Sequence, residues 1–163
     1  MTSAGAPAGP FLSIADIGNR DGGGTVVDSP WRTVTIPDPE REYLALLSYL
    51  PLKGYRRSLE LLRRARSISS QLGNTPGLIG FTFRAKLLSH RFWTLSAWED
   101  EQALRSFVGR APHLDAMDRL RPHMGDATFT RWKVSGAAIP LTWNVALARA
   151  DAERAGERST LES

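Results

Sequence analysis

Apolar positions along the chain fall into short continuous runs and into stripes with helical spacing. Four runs predict strands, because they are short, rich in large apolar side chains and bounded by Pro, Gly or polar residues: 43–50, 78–85, 91–98 and 128–134. Spacings of three and four predict helices over 55–72 and 99–120, the latter interrupted at Gly109 and Pro112. A short terminal helix is predicted over 141–150.

The order of these elements is β-α-β-β-α-β followed by a helix. It defines an α+β fold class, and we expect the ferredoxin-like split βαβ arrangement with a four-stranded antiparallel sheet. The strands carry large side chains on both faces of this sheet, with Trp93 on one face and Trp98 on the other. Two helices cover one face, and the pattern leaves nothing to cover the second. We therefore expect a second copy of the chain to cover it in a homodimer.

Length and composition are typical of one globular domain. The chain has 163 residues, of which 42% are hydrophobic and 23% charged. We assign residues 1–30 to a flexible leader, 31–150 to a single domain and 151–163 to a polar tail. The chain has no cysteine, which excludes disulfides, cysteine-ligated metals and thiol catalysis. No apolar run approaches the ~20 residues of a membrane span, and the first residues lack a secretory pattern, so we expect a cytoplasmic protein without a membrane partner.

The net charge of +4 is concentrated in one part of the chain. Residues 41–91 hold ten basic and two acidic side chains. Five arginines lie near one another on the predicted first helix: Arg56, Arg57, Arg63, Arg64 and Arg66. Because no aromatic side chains are interleaved with them and no nucleic-acid-binding motif is present, we interpret this face as solvated and expect no nucleic-acid partner.

One group of side chains carries the candidate chemistry. His113 begins an apolar stripe that continues through Met117, so we expect it to face the sheet, while Trp98 closes the third predicted strand on the face of Phe92. Trp98 and His113 would then share an apolar pocket with Phe92, Phe107 and Met117, which suits a flat hydrophobic ligand. Two interpretations of His113 stay open: a hydrogen-bonded core histidine, or an iron ligand or proton relay.

Four segments carry a resemblance to a known family: 74–81, 91–100, 103–108 and 111–113. Together they resemble the antibiotic-biosynthesis-monooxygenase-like, dimeric α+β barrel superfamily, and within it a branch similar to spheroidene monooxygenase. The resemblance implies a homodimer whose sheets pack face to face, with a pocket in each subunit between sheet and helices. Trp98 matches the tryptophan at the end of the third strand, and His113 matches a histidine common in this branch.

This resemblance implies a monooxygenase of secondary metabolism that acts on a bulky apolar metabolite, either polycyclic aromatic or isoprenoid. In a cofactor-free version His113 assists proton transfer. In a haem-dependent version His113 is the axial ligand of the haem iron, and Phe92, Phe107 and Met117 line the haem pocket. The alternative is a non-catalytic dimer that binds a small apolar molecule or serves as an accessory protein.

Overall fold

The computed structural model describes residues 26–54, 56 and 69–161. Most of the predicted first helix therefore lies outside the described residues, as do Arg57, Arg63, Arg64 and Arg66 of its basic face. The end of that helix is described, and residues 69–73 are helical.

The described residues form strands and helices with these bounds. The strands are β1 (Val26–Asp28), β2 (Arg32–Thr33), β3 (Glu42–Pro51), β4 (Leu78–Lys86), β5 (Arg91–Trp98) and β6 (Thr128–Ser135). The helices are α1 (Glu101–Val108), α2 (His113–Leu120) and α3 (Trp143–Leu161). Strands β3 to β6 are the four predicted from the sequence, and α1 and α2 are the interrupted helical region.

The strands form one antiparallel sheet in the order β1-β4-β5-β3-β6, and β2 also pairs with β4. This confirms the predicted α+β, ferredoxin-like class, but the sheet has six strands where four were predicted. The two extra strands are short, and β1 falls within the predicted leader. It is held on β4 by backbone pairing and by a bidentate ion pair in which Arg84 donates to both Asp28 oxygens at 2.6 Å. Three residues are too few to show a strand pattern without the β4 edge beside them.

One face of the sheet packs against α1 and α2, which form the second predicted helical region, and against Leu72 at the described end of the first. Its central cluster joins the end of β5 to α1 through Trp98, Leu104 and Phe107, together with Phe81 of β4. A separate cluster lies toward the β4–β5 turn and contains Phe92, Leu120, Leu50 and Leu52. The predicted parity of β5 is therefore correct, since Trp98 and Phe92 both face these helices.

The second face of the sheet is covered within the chain, and the expectation that it is bare was wrong. Helix α3 packs on it through Ala146 and Ala150, against Tyr43, Leu47 and Leu95. The sequence pattern placed a terminal helix here but did not assign it to a face. A partner sheet was expected because this face was predicted to be uncovered. With α3 on it, the homodimer stays a prediction that no longer has this support.

Helix α3 continues to Leu161, well past the predicted end at Ala150. Residues 151–160, in the predicted polar tail, are exposed along its whole circumference. Contacts within the helix, such as Arg154 to Asp151 at 2.7 Å, hold this part. Among the described residues, no helix has the length and apolarity needed to cross a bilayer.

The homodimer can be tested by light scattering on the purified protein. A mass twice the 18.0 kDa of the chain would confirm it. Since α3 already buries the second face, truncation before Trp143 should raise the mass further or cause aggregation, because it exposes that apolar surface. A monomer at micromolar concentration would contradict the predicted dimer.

A second prediction concerns the close contact between Trp31 and Gly80. A Cβ atom on Gly80 would lie 2.6 Å from three atoms of the Trp31 indole, so a side chain there must displace the ring. We expect Gly80→Ala to lower the free energy of unfolding by about 1–3 kcal/mol in urea titrations. In a Trp31→Ala background the same substitution should cost much less, because the obstructing ring is gone.

Gly156→Ala is the control for this cycle, since nothing lies within 4 Å of its Cβ position in exposed α3. It should leave stability unchanged or raise it by up to about 1 kcal/mol. If Gly80→Ala lowers the free energy of unfolding equally with and without Trp31, the close packing of Trp31 on Gly80 is contradicted.

Candidate functional site

The site begins where β5 ends and α1 starts. Trp98 is the last residue of β5, and Asp100 caps α1, its side chain accepting a hydrogen bond from the Ala103 N–H at 2.8 Å. This N-cap fixes the start of the helix and so determines which of its side chains meet the sheet. Leu104 and Phe107 are the buried residues of α1.

Three aromatic rings follow one another from the core to the surface. The Trp98 and Phe107 ring centroids are 5.3 Å apart, and the Phe107 and His113 centroids are 4.7 Å apart, both pairs tilted. Trp98 is only 1% exposed and donates its indole N–H to the Ser96 hydroxyl at 2.9 Å. Phe107 is buried and His113 is partly exposed. A ligand outside this row would meet His113 and Phe107 before Trp98.

His113 is held by its backbone and by one ring nitrogen. Its backbone N–H donates to the Gln71 side-chain oxygen at 3.2 Å, and Nδ1 lies 3.4 Å from the Val108 carbonyl oxygen. A carbonyl can only accept, so Nδ1 carries the proton in this bond and Nε2 carries the lone pair of the neutral ring. The two contacts fix the ring against Phe107 with Nε2 as its basic atom.

Burial sets the protonation state of His113. Desolvation lowers its pKa below the ordinary value of 6.5, and the hydrogen bond to Val108 opposes this in part. The imidazole is therefore neutral at neutral pH and able to accept a proton.

A groove of about 480 Å³ has Phe107, the middle ring of this row, in its wall, and His113 packs behind Phe107. Its walls are the loop that follows residues 69–73, the outer side of α1 and the segment before α2. The lining residues include Phe107, Gln71, Gly77, Gln102, Ser106 and Arg110. Gly77 has φ +80° and packs against Ala103, so a larger residue there would push the loop off α1. The groove thus combines polar side chains with apolar surface, and Phe107 connects it to the core.

The structure separates the five residues predicted to share a pocket. Phe107 contacts both Trp98 and His113, whereas Phe92 and Met117 pack together near Leu120 in the other cluster. A role of Phe92 and Met117 in ligand binding stays a prediction, and so does a catalytic role of Trp98.

The described residues do not fit a haem. Phe92 and Phe107, which were predicted to line one haem pocket, are each about 6% exposed and are packed in two different clusters. The groove that Phe107 lines combines polar side chains with small apolar residues and lacks the continuous apolar walls that a macrocycle needs.

Within the described residues, no group of three or more His, Asp or Glu is placed to hold a metal ion.

The three acidic residues at the start of α1, Glu99, Asp100 and Glu101, have a structural role. Asp100 caps the helix, Glu101 accepts from Arg131 of β6 at 2.7 Å, and Glu99 lies 3.6 Å from Arg41. These contacts tie α1 to the sheet and favour the helix dipole. They account for the carboxylates without assigning them a catalytic role.

Two residues of the site could not be found from the sequence. Gln71 contacts His113 across 42 positions of the chain, and Arg110 enters the groove only because the chain turns between α1 and α2. Neither lies in a motif.

Comparison with known proteins supports the fold. No family model and no curated protein matches the sequence. Among solved structures, a candidate monooxygenase from Fusobacterium nucleatum subsp. nucleatum superposes with a TM-score of 0.54 at 8% identity. That match covers 65% of this chain and 48% of the Fusobacterium chain, so the alignment spans about half of that relative.

Two further structures align over nearly their whole length. An antibiotic biosynthesis monooxygenase has a TM-score of 0.50 and 14% identity, covering 55% of this chain and 95% of its own. A candidate antibiotic biosynthesis monooxygenase from Deinococcus radiodurans has a TM-score of 0.50 and 16% identity, covering 61% and 98%. The chain therefore has the fold of the antibiotic-biosynthesis-monooxygenase-like structures.

The lowered pKa of His113 predicts a pH-dependent stability. The unfolded chain binds a proton at His113 more readily than the folded chain does. The contribution of the neutral His113 ring to the free energy of unfolding is therefore complete above pH 6.5 and is lost as the pH falls. We expect the free energy of unfolding to decrease on acidification below pH 6.5. His113→Gln should flatten that decrease in urea titrations, whereas His123→Gln, outside the site, should not. An unchanged slope in His113→Gln would contradict the burial of the ring.

Proposed function

We propose that this protein is a cofactor-free monooxygenase that oxidises a polycyclic phenol with an activated methylene group. The observation that carries the proposal is the neutral, fixed imidazole of His113 beside the groove. Its Nε2 is a base, Phe107 holds the ring, and burial keeps the proton off it at neutral pH. The fold shared with antibiotic biosynthesis monooxygenases supports the reaction class.

The substrate class follows from the base. A polycyclic phenol such as an anthrone has a methylene whose carbanion is delocalised over the rings, so imidazole is strong enough to remove its proton. An isoprenoid hydrocarbon, which the finer resemblance to spheroidene monooxygenase would imply, offers no such acidic proton. A neutral imidazole base therefore favours the polycyclic phenol.

The reaction balances without an outside reductant. Nε2 of His113 takes a proton from the methylene, and the carbanion transfers an electron to dioxygen. Recombination forms the C–O bond, and return of the proton gives a hydroperoxide. Loss of water from that hydroperoxide leaves the ketone, so R–CH2–R′ and O2 become R–CO–R′ and H2O. The methylene supplies all the electrons, and His113 ends in its starting state.

The groove positions the substrate for this step. Phe107 offers the edge of an apolar ring, and Arg110, Gln102 and Ser106 offer hydrogen bonds to phenolic oxygens. The Arg110 guanidinium also stabilises the negative charge that is delocalised onto the substrate's ring oxygens when the methylene proton leaves.

The test is oxygen uptake with an anthrone-type phenol, following ketone formation by absorbance. We expect His113→Ala to lower kcat about 10²-fold or more, because a positioned general base contributes about that much. Wild-type kcat should decrease on acidification as His113 becomes protonated, at a pKa below the ordinary value. The kcat of His113→Ala should not show this decrease. His123→Gln is the matched control and should behave as wild type.

Two results would overturn the proposal. Full turnover by His113→Ala would remove the base from the reaction. Saturable binding of the phenol, followed by tryptophan fluorescence, without any oxygen uptake would instead make the protein a non-catalytic small-molecule-binding protein.

A further inference from the structure

We propose that the end of the molecule formed by the β4–β5 turn is a docking surface for an anionic lipid bilayer, with Leu88 inserted among the lipids. The turn spans residues 87–90, and Leu88 at its tip is 80% exposed. The inference uses binding alone and does not depend on the proposed reaction.

The turn is built so that one leucine is anchored and its neighbour projects. Leu87 packs against the cluster that contains Phe92 and Leu120. His90 closes the turn with φ +54°, and its carbonyl accepts from the Leu52 N–H at 2.8 Å. Because these contacts anchor the turn, Leu88 is held in an exposed position.

Cations surround this tip. Lys86 and Arg91 are directly opposite each other in the β4–β5 pairing, and Pro51 pairs with Arg91 on the other side. Lys53 follows two residues after Pro51, next to the turn, and its N–H bonds to the His123 carbonyl at 2.7 Å. None of these three cations is in an ion pair within the described part of the chain. Like charges directly opposite in a sheet are unfavourable, so the Lys86–Arg91 pair is placed to gain from an anion.

The balance of charge at this end stays positive. Asp126 is exposed near Pro51, beside Gly125, whose N–H bonds to the Pro51 carbonyl. Asp28, the second carboxylate near the turn among the described residues, is engaged by Arg84 at 2.6 Å. In this described part of the chain, three cations outside any ion pair therefore lie with one unpaired carboxylate around an exposed leucine.

A bilayer fits this surface better than the other occupants. A second copy of the chain would bring the same cations together across a symmetric contact. A single-stranded nucleic acid needs exposed aromatic faces for its bases, but the nearby Tyr49 and Trp93 rings pack on each other at 5.1 Å and are partly buried. Anionic lipid headgroups satisfy the cations, and the acyl boundary accepts Leu88. This differs from the sequence-based expectation of no membrane partner.

The experiment is sedimentation of the full chain with vesicles of phosphatidylcholine alone or mixed equally with phosphatidylglycerol. We expect binding only to the anionic vesicles, weakened by salt. The double variant Lys86→Gln/Arg91→Gln should lose about five-fold in partitioning per charge, and Leu88→Ser about ten-fold. Each of these substitutions introduces an uncharged polar side chain, and the folding of each variant is checked by urea titration.

Matched controls separate this surface from general effects. Ile36→Ser removes an equally exposed side chain, 87% exposed, outside the turn, and Arg105→Gln/Arg158→Gln removes the same charge from α1 and α3. Neither should change partitioning. Because the chain has no cysteine, Leu88→Cys also gives a single site for an environment-sensitive dye. Its emission should shift to the blue on anionic vesicles, and the dye at Ile36→Cys should not respond.

Three results would overturn the inference. They are absence of vesicle binding, equal losses in the matched controls, and an unshifted dye at position 88 on vesicles that bind the protein. Binding of a single-stranded oligonucleotide that needs Lys86 and Arg91 but not Leu88, without vesicle binding, would assign the surface to nucleic acid instead.

Discussion

The central strands β3 and β5 carry large apolar side chains on both faces, and burying both faces is the constraint on which the rest of the structure depends. Strand β5 alternates Trp93 and Leu95 on one side with Phe92 and Trp98 on the other. Helices α1 and α2 cover the second of these sides, and α3 covers the first. One chain thus supplies three layers, helices on both faces of one sheet.

This arrangement also determines where chemistry can occur. Trp98 is only 1% exposed, and its indole N–H is satisfied by Ser96. Phe107 packs against Trp98 on one side and against His113 on the other. A histidine held in this way is fixed in position and partly desolvated, which suits proton transfer.

The fold is shared with structures described as monooxygenases, but a shared fold leaves the reaction open. Identities of 8–16% to the structures compared mean that the site residues must be argued from this chain. His113 carries the proposed reaction, because it combines a fixed tautomer, a lowered pKa and packing against Phe107 in the wall of the groove. The basic turn around Leu88 is a separate feature at the other end of β5 and does not take part in that site.

The sequence by itself determined the α+β class, strands β3 to β6, the break between α1 and α2, and the faces of Phe92 and Trp98. These depend on local periodicity and on breakers such as Gly109 and Pro112, which act over a few residues. Only the tertiary structure decided that β1 and β2 join the edge of β4, that α3 closes the second face, and that Phe92 and Met117 pack apart from Trp98. Each of these depends on contacts between residues far apart in the chain, such as Asp28 with Arg84 and Gln71 with His113, whose energies local patterns do not contain.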